Sequence, residues 1–318
     1  MLRIAMLALA VLAITLSGTS AQDKYPTKPI EIIVPYVAGA STDLGARVMA
    51  QVLETRWQVP VRVINKPGGN TVPAVTEMMS AKPDGTLFLM DNIASSAMLD
   101  TVVKNLPYKV FDRSFVAMTG YTPMMFIVHV DSPFKTLGDA VEALKSDTAK
   151  FTWTSLGGVG GQDLAFRQFF AATGVEIGKA RAIALKGGAE AVTLTAGGHV
   201  RLGAGTWSAI AAPLGANKLR VLAVAGNVRW PRLPDAPTTT EAGYPEIDAQ
   251  YWIGVSGPPG LAANIVDTWN EALRQLLADK EVQEKMLNAG LLTAYLDPEA
   301  MMARVERDRK AVQTLFGN

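Results

Sequence analysis

Apolar and polar residues along the chain form two kinds of pattern, short β-branched runs and longer stretches with helical spacing. The runs predict strands at residues 30–34, 61–64 and 87–90. Leu44, Val48 and Val52 recur every four residues, which predicts one apolar face of a helix over about residues 43–56. Another helix is predicted over about 72–81. This alternation predicts a mostly parallel sheet with helices on its faces.

The rest of the chain continues the alternation. Further strands are predicted at residues 124–130, 151–155, 182–185, 200–202, 219–225 and 252–255, and further helices at 136–145, from about 189, and at 262–278 and 298–315. Both halves of the chain are rich in strand–helix–strand units, which predicts two α/β lobes. Because ligands of open α/β sheets bind beyond the carboxyl ends of the strands, two such edges facing each other would form a cleft.

A loop of small residues joins the first predicted strand to the first predicted helix. It reads Val37-Ala38-Gly39-Ala40-Ser41-Thr42-Asp43. Thr42 or Asp43 is expected to cap the helix by accepting a hydrogen bond from its free backbone N–H groups. The remaining free N–H groups and the partial positive charge of the helix dipole make this loop a candidate anion-binding site.

A similar loop follows the strand predicted at 151–155. It contains the four glycines Gly157, Gly158, Gly160 and Gly161. Both loops run into the same motif, D-L-x-x-R, which begins at Asp43 in the first and at Asp163 in the second. We hypothesise that the two strand–loop–helix units face each other and hold one anion between them. The arginines of the motif are interpreted as surface or structural residues, because the loops already supply donors.

Composition and charge exclude several functional classes. The 318-residue chain has a formal charge of +1 with its charges spread out, and it lacks the basic stripe that nucleic-acid binding requires. It has no cysteine, which excludes disulfides and thiolate chemistry. With only two histidines, a histidine-based metal cluster is not expected. No cofactor is predicted.

The first 21 residues differ from the rest of the chain. Arg3 is the only charged residue before Asp23, an apolar run covers residues 4–16, and residues 17–21 are small and polar. This pattern predicts a secretory signal peptide over residues 1–21, cleaved after Ala21, and hence a periplasmic mature protein. A membrane anchor is the alternative, but the apolar run is shorter than the roughly 20 residues that span a bilayer.

Several short sequence blocks occur in order along almost the whole mature chain. They include Tyr25-Pro26-x-Lys28-Pro29-Ile30, Val63-Ile64-Asn65-Lys66-Pro67-Gly68-Gly69, Lys82-Pro83-Asp84-Gly85-Thr86-Leu87, Gly197-Gly198-His199-Val200 and Pro234-Asp235-Ala236-Pro237-Thr238. The ordered series resembles the Bug/TctC family, the extracytoplasmic solute-binding receptors of tripartite tricarboxylate transporters.

The resemblance implies a type II periplasmic binding protein fold, in which two α/β lobes close on a ligand in the cleft between them. Residues 22–124 with 245–318 are expected to form lobe 1, and residues 125–244 lobe 2. The implied protein is a monomer without enzymatic activity. It captures a small organic carboxylate and delivers it to the membrane subunits of the transporter.

The expected ligand-binding residues come from the two loops and from two further segments carried over by position. Trp207 is added because its ring could stack on a ligand. The full set is Val37, Ala38, Gly39, Ala40, Ser41, Thr42, Asp43, Ser155, Gly157, Gly158, Gly160, Gly161, Lys186, Gly187, Ala204, Gly205, Thr206 and Trp207. The alternative for each of them is a structural role as a helix cap, a turn or a core ring.

The chain departs from the family pattern at positions that bear on the ligand. Gly39-Ala40 stands where the family usually has a glycine pair, Gly160 where it has a serine and Asp163 where it has a histidine. Leu185 occupies a position that is often tyrosine. These changes remove side-chain donors and volume, so a larger or aromatic carboxylate is expected.

Two other functions remain open at this point. A sensory receptor would use the same fold to present its ligand to a membrane kinase, and the sequence does not separate it from a transport receptor. A secreted hydrolase would need Ser155 as nucleophile with His129 or His199 as base. The chain has no G-x-S-x-G motif, and nothing in the spacing pairs these residues.

Overall fold

The fold is built on one large mixed sheet and two smaller sheets, with helices packed against them. The computed structural model describes residues 25–185 and 187–316, so the predicted signal peptide lies outside the described residues. The strands are β1 Ile30–Val34, β2 Val61–Asn65, β3 Leu87–Asn92, β4 Ser114–Pro123, β5 Met125–His129, β6 Thr152–Ser155, β7 Arg181–Ala184, β8 Gly203–Gly205, β9 Leu219–Val224, β10 Gln250–Gly257 and β11 Leu292–Leu296.

The α-helices lie between these strands and after them. They are α1 Ser41–Trp57, α2 Val72–Met79, α3 Leu99–Val102, α4 Leu137–Ser146, α5 Gly161–Thr173, α6 Gly188–Ala196, α7 Trp207–Gly215, α8 Ala263–Ala278, α9 Lys280–Asn288 and α10 Pro298–Phe316. A π-helical turn, Ala94–Met98, precedes α3. The strand predicted at 200–202 lies at Gly203–Gly205 instead, and α7, α9, β4 and β11 had no sequence prediction.

The large sheet has the strand order β11-β4-β10-β3-β1-β2. Strands β1, β2 and β3 pair in parallel, whereas β10 runs antiparallel to β3 and β4, and β11 runs antiparallel to β4. The prediction of a mostly parallel sheet is therefore wrong for this half of it. The reason is that β4 lies between β10 and β11 and runs against both of them, while β10 returns from the distant part of the chain and runs against β3.

The smaller sheets lie between two crossings of the chain. The chain leaves the large sheet after Pro123 and returns to it at Gln250. Strand β5 pairs antiparallel with β8 and β9, while β6 pairs in parallel with β7, and a bridge between Trp153 and Leu202 links the two small sheets. The crossings fall close to the predicted division at residues 124–125 and 244–245, and the domain limits themselves stay a prediction.

Helix α1 packs on the large sheet through a different face from the one its spacing predicted. Ala46, Met49 and Leu53 are fully buried, whereas Leu44, Val48 and Val52 are half-buried. The buried face is therefore offset by about one residue along the helix from the stripe of branched residues. Small Ala46 and flexible Met49 fill the contact because the helix lies close to the strands.

Candidate functional site

The first loop connects β1 to α1 at the carboxyl edge of the large sheet. Val37, Ala38 and Gly39 are exposed, with 59% of the Val37 surface open to solvent. The N-cap residue of α1 is Ala40, whose side chain makes no capping hydrogen bond. The predicted caps Thr42 and Asp43 were wrong, because the helix begins ahead of both and they lie inside its first turn.

Asp43 organises this loop from inside the helix. Its carboxylate accepts hydrogen bonds from the backbone N–H of Gly39 at 2.9 Å and from Asn65 Nδ2 at 2.8 Å. Arg47 Nε also donates to both oxygens, at 3.0 and 3.1 Å. Burial alone would raise the pKa of Asp43, but these hydrogen bonds outweigh it and hold the pKa below its ordinary value. The side chain is thus committed to its own loop.

The second loop connects β6 to α5 and uses its aspartate in a related way. Ser155 Oγ donates to Asp163 Oδ1 at 2.7 Å, and the backbone N–H of Leu156 donates to Oδ2 at 3.1 Å. Here burial raises the pKa of Asp163 above its ordinary value, although hydrogen bonds from Ser155 and Leu156 oppose the shift. In this structure the Ser155 hydroxyl hydrogen is therefore directed to Asp163.

Tyr251 of β10 lies between the two loops. Its Oη is 3.3 Å from Thr42 Oγ1 in the first turn of α1. At the start of α5, a Cβ added to Gly161 would lie 2.9 Å from the Tyr251 ring, so only bare backbone fits there. The ring also meets Tyr36 edge-on, with centroids 6.2 Å apart. One aromatic side chain thus contacts residues of both predicted loops.

The phenols beside the loops remain hydrogen-bond donors at neutral pH. Burial raises the pKa of Tyr36 to about 12, and it raises the pKa of Tyr251 well above its ordinary value. Tyr36 Oη donates to Asn92 Oδ1 at 3.3 Å. That amide oxygen also accepts the backbone N–H of Ala94 and Ser95, whereas Asn92 Nδ2 has no hydrogen-bond partner among the described residues. Asn92 therefore holds a buried, unused donor next to the first loop.

The turn from β8 to α7 contacts the first loop through side-chain hydroxyls. Ser41 Oγ donates to Thr206 Oγ1 at 3.1 Å and lies 2.7 Å from Ser208 Oγ. The residues belong to the first turn of α1 and to the N-cap and first turn of α7. We call Ser41, Thr206 and Ser208 the hydroxyl cluster. It joins the large sheet's first loop to the part of the chain that carries the small sheets.

The other predicted ligand-binding residues lie in β8 and at the starts of α6 and α7, or outside the described residues. Ala204 and Gly205 are buried in β8, and Gly187 is the N-cap of α6. Lys186 lies outside the described residues. Trp207 is half-buried and packs against Trp230, with ring centroids 5.9 Å apart. The structure thus brings together residues of the two loops and the β8–α7 turn, and ligand contact by any of them stays a prediction.

Sequence reasoning missed four residues at this meeting point: Tyr36, Asn92, Ser208 and Tyr251. Tyr36 directly precedes the first loop, so its position was a usable signal. Ser208 was missed because α7 was not predicted. Asn92 and Tyr251 come from strands distant in sequence, and only the strand order places them beside the loop.

Two surface cavities lie away from these residues. One, of about 390 Å³, is lined in part by Tyr108, Phe111 and Arg309. The other, of about 520 Å³, lies between α6 and α7 and is lined in part by His129 and Lys218. Their linings contain none of the predicted ligand-binding residues. The convergent donors therefore identify the meeting of the loops as the candidate site.

The arrangement favours an anion held by neutral groups. The starts of α1, α5 and α7 supply backbone N–H groups, and each helix N-terminus contributes about 0.3–1 kcal/mol to the binding of an anion, and up to about 2 when partly buried. Hydroxyls and phenols can add charge-assisted hydrogen bonds of roughly 1.5–3 kcal/mol each. Several such contacts reach the roughly −8 kcal/mol of a micromolar complex.

Metal-ligating side chains do not cluster in the described ranges, 25–185 and 187–316. Within them, His, Cys, Asp and Glu side chains form no group of three or more suited to a metal ion. No helix in that part of the chain has the length and apolarity to cross a membrane.

Known proteins are similar to this chain in sequence and in fold. Protein BugT of Bordetella pertussis (strain Tohama I) is 30% identical over 280 residues, covering 87% of this chain and 85% of BugT. The structure of the periplasmic binding protein BugD superposes with a TM-score of 0.81 at 28% identity, covering 92% of this chain and 98% of BugD. The structure of R. palustris Rpa4515 with adipate superposes with a TM-score of 0.83 at 24% identity, over 92% of this chain and 98% of that one.

The large sheet, the small sheets and the loops that meet between them define a two-lobed α/β periplasmic binding protein. The sequence model of the family described as tripartite tricarboxylate transporter family receptor, TctC, matches residues 45–314. The chain belongs to this family of solute-binding receptors, as its ordered sequence blocks indicated. Below, lobe 1 denotes the part built on the large sheet and lobe 2 the part built on the small sheets.

Proposed function

We propose that this protein is a monomeric periplasmic receptor that binds a small organic carboxylate where its two loops meet the β8–α7 turn, and that it passes this ligand to membrane transporter subunits. It acts by binding rather than by catalysis. Export would follow cleavage of residues 1–21. The carboxylate class is supported by the family and by the fold shared with R. palustris Rpa4515, whose structure was solved with adipate.

One observation carries the proposal. Ser41, in the first turn of α1, reaches Thr206 and Ser208 at the start of α7, so donors of both lobes converge on one point. The starts of two helices and three hydroxyls can all donate to one carboxylate there. Arg47, in the second turn of α1, is paired with Asp43 at 3.0 Å, which supports a clamp that works through neutral donors.

The walls of the site bear on the choice of ligand. Leu185 follows β7, and Ala204 and Gly205 form part of β8, so these wall positions carry small or apolar side chains. Asp163 is turned to Ser155 and Leu156 rather than offering a donor. A second charged end of a ligand would find few partners there. We propose an aromatic or otherwise apolar carboxylate ahead of a small dicarboxylate.

A thermal-shift screen of the mature chain tests the function. The panel contains adipate, malate, benzoate and phenylacetate, with chloride at the same ionic strength as the blank. A ligand at a hundred times its Kd adds about 2.7 kcal/mol of stability, which raises Tm by about 5 °C or more. Ser41→Ala should reduce the shift, while Ser146→Ala, an exposed serine at the end of α4, should keep it. A flat response of the wild type across a broad acid panel would count against a receptor function.

A further inference from the structure

Ser208 was not predicted as a site residue, yet it lies where the two lobes touch. Its Oγ is 2.7 Å from Ser41 Oγ and 3.3 Å from Thr206 Oγ1. Ser41 Oγ is also within 3.1 Å of Thr206 Oγ1, so each hydroxyl of the cluster contacts both others. Ser41 belongs to lobe 1 and the other two to lobe 2. The cluster is therefore a contact between lobes made by side chains of the candidate site.

A hydroxyl group has one hydrogen to donate and rotates about its C–O bond. The three hydroxyls can satisfy one another, or they can turn their hydrogens toward one anion that enters between the helix starts. Ser41 is only 5% exposed, so its hydroxyl depends on its protein neighbours for orientation. Removing Ser208 would leave Ser41 and Thr206 with one partner fewer and a weaker link between the lobes.

Gly290 holds Ser208 from the lobe 1 side. It lies in the turn between α9 and β11 and has φ +84°. A Cβ added there would lie 2.9 Å from the backbone nitrogen of Ser208 and 3.3 Å from its Cβ. Backbone nitrogen cannot move aside without moving the start of α7. The bare backbone of Gly290 is thus the surface on which α7 rests against lobe 1.

We propose that Ser208, resting on Gly290, is a positioning residue of the ligand site: it joins the hydroxyls of Ser41 and Thr206 when the lobes meet and so sets how long a ligand is held. This inference rests on the proposed receptor function. The contact spans the lobes, so it exists only when they are together. The contact is present without ligand and must break before a held ligand leaves. Hence it acts directly on koff, and on kon only through the fraction of molecules whose lobes are apart.

The chain offers closely matched variants. Ser208→Ala removes only the hydroxyl, and Ser208→Thr retains one. Gly290→Ala adds the Cβ that meets Ser208. Its control is Gly260→Ala, because Gly260 has a similar φ of +80° and open space around its Cβ position. Both glycine variants carry the same backbone strain of about 1–2 kcal/mol, so their difference reports the contact with Ser208.

The first measurement follows lobe distance without any ligand. The chain has no cysteine, so Gln51→Cys on α1 and Lys145→Cys on α4, both at exposed positions, accept a specific spin-label pair. The wild type should show a short-distance population. Ser208→Ala should lower the ratio of short to long distances about five-fold, the size of one neutral hydrogen bond. Gly290→Ala should lower it further, while Gly260→Ala and Ser208→Thr should stay near the wild type.

The second measurement is stopped-flow binding of whichever of adipate, malate, benzoate and phenylacetate binds the wild type. Ser208→Ala should raise koff about five-fold, while kon should rise by no more than the increase in the open fraction that the label distances show. Wild-type distances and wild-type koff in both Ser208→Ala and Gly290→Ala would overturn the inference, as would a wild type without a short-distance population. If no acid binds, the receptor function fails, and the label distances still decide whether Ser208 and Gly290 join the lobes.

Discussion

The two aspartates of the repeated D-L-x-x-R motif show how residue environment separates identical sequence patterns. Asp43 accepts hydrogen bonds from Arg47, Gly39 and Asn65, and its pKa lies below the ordinary value. Asp163 is buried, and that burial raises its pKa despite the hydrogen bonds it accepts. The arginine of the second copy, Arg167, instead donates to the backbone oxygen of Leu315 near the end of α10. The motif correctly predicted two related strand–loop–helix units. It did not predict that the pKa values of the two aspartates shift in opposite directions.

Asp43→Asn is expected to destabilise the protein and to remove an acid sensitivity. A folded pKa below the unfolded value means that the carboxylate stabilises the fold above about pH 4 and that this stabilisation is lost as pH falls through the folded pKa. The loss at pH 7 should be about 1–3 kcal/mol. Urea unfolding between about pH 2 and 7 measures it, and wild-type and variant stabilities that stay parallel below about pH 4 would contradict the expectation.

Asp163→Asn is expected to behave in the opposite way. A folded pKa above the unfolded value means that the protonated Asp163 carboxyl stabilises the fold relative to its ionised form. This stabilisation is fully present below about pH 4 and is lost as pH rises through the folded pKa. The amide oxygen of the variant can still accept the Ser155 hydroxyl, and it carries no charge to bury. The same urea series should therefore show that the free energy of unfolding of the variant increases relative to that of the wild type as pH rises toward 7. A loss equal to that of Asp43→Asn would contradict the assignment.

At the scale of elements, the end of β3 and the start of β4 are tied by a buried ion pair. Arg113 Nη1 donates to Asp91 Oδ2 at 2.8 Å, and both side chains are fully buried. Ser96, in the π-helical turn, donates its Oγ hydrogen to the same carboxylate, with 2.7 Å between the two oxygens. Arg113 Nη2 reaches the backbone oxygen of Ser95 at 3.1 Å. This network sets the course of the chain beside Asn92 and hence beside the site.

Arg113→Met should destabilise the protein by about 3–5 kcal/mol, because it leaves the Asp91 carboxylate buried and unpaired. Adding Asp91→Asn should recover part of that loss, since the uncompensated charge is then gone. The matched control is Lys66→Met, which breaks a half-exposed pair with Glu77 and should cost at most about 1 kcal/mol. A double-mutant cycle in urea checks this, and a Lys66→Met loss as large as that of Arg113→Met would refute the reasoning.

Sequence reasoning predicted those elements whose signals are local. Helix α4 follows Thr136, whose side chain forms a capping box with Asp139, and both residues are legible in the sequence. Helix α7 was missed because it mixes small residues with an internal Pro213, which leaves little periodicity. Strand β4 is buried on both faces, so it shows no alternation. The candidate site was predicted as two loops together with Lys186-Gly187 and residues 204–207. Ser208, Asn92 and Tyr251 were missing from that prediction because α7 and the strand order are not local features.

At the scale of the molecule, the C-terminal helix joins the two lobes through contacts separate from the hydroxyl cluster. Arg167 of α5, in lobe 2, donates to the backbone oxygen of Leu315 at 3.2 Å. Its guanidinium also lies 3.8 Å from the centre of the Phe316 ring. The helix itself packs on lobe 1, where Trp252 Nε1 donates to Asp308 at 2.8 Å. The end of α10 is therefore held by the helix of the second loop.

Arg167→Lys is expected to loosen the last turn of α10 while leaving the rest of the fold intact. Lysine keeps the charge but loses the planar group that faces the Phe316 ring. Hydrogen exchange of the amides around Leu315 should speed up several-fold, and that of β1 should not change. Arg274→Lys, in an exposed pair with Glu271 within α8, is the control and should leave both regions unchanged. Unchanged exchange around Leu315 in Arg167→Lys would show that the contact does not hold the helix.

The uncharged hydrogen-bond donors of the candidate site have a consequence for how such a receptor can evolve. In the proposed site, backbone N–H groups and small hydroxyls are the anion's donors, and positions such as Leu185 and Ala204 are the ones proposed to decide what else the cleft accommodates. A substitution on a wall changes the shape offered to the ligand without altering the anion's donors or adding a charge to bury. One scaffold can therefore drift from one organic acid to another by single steps, each of which leaves a working clamp.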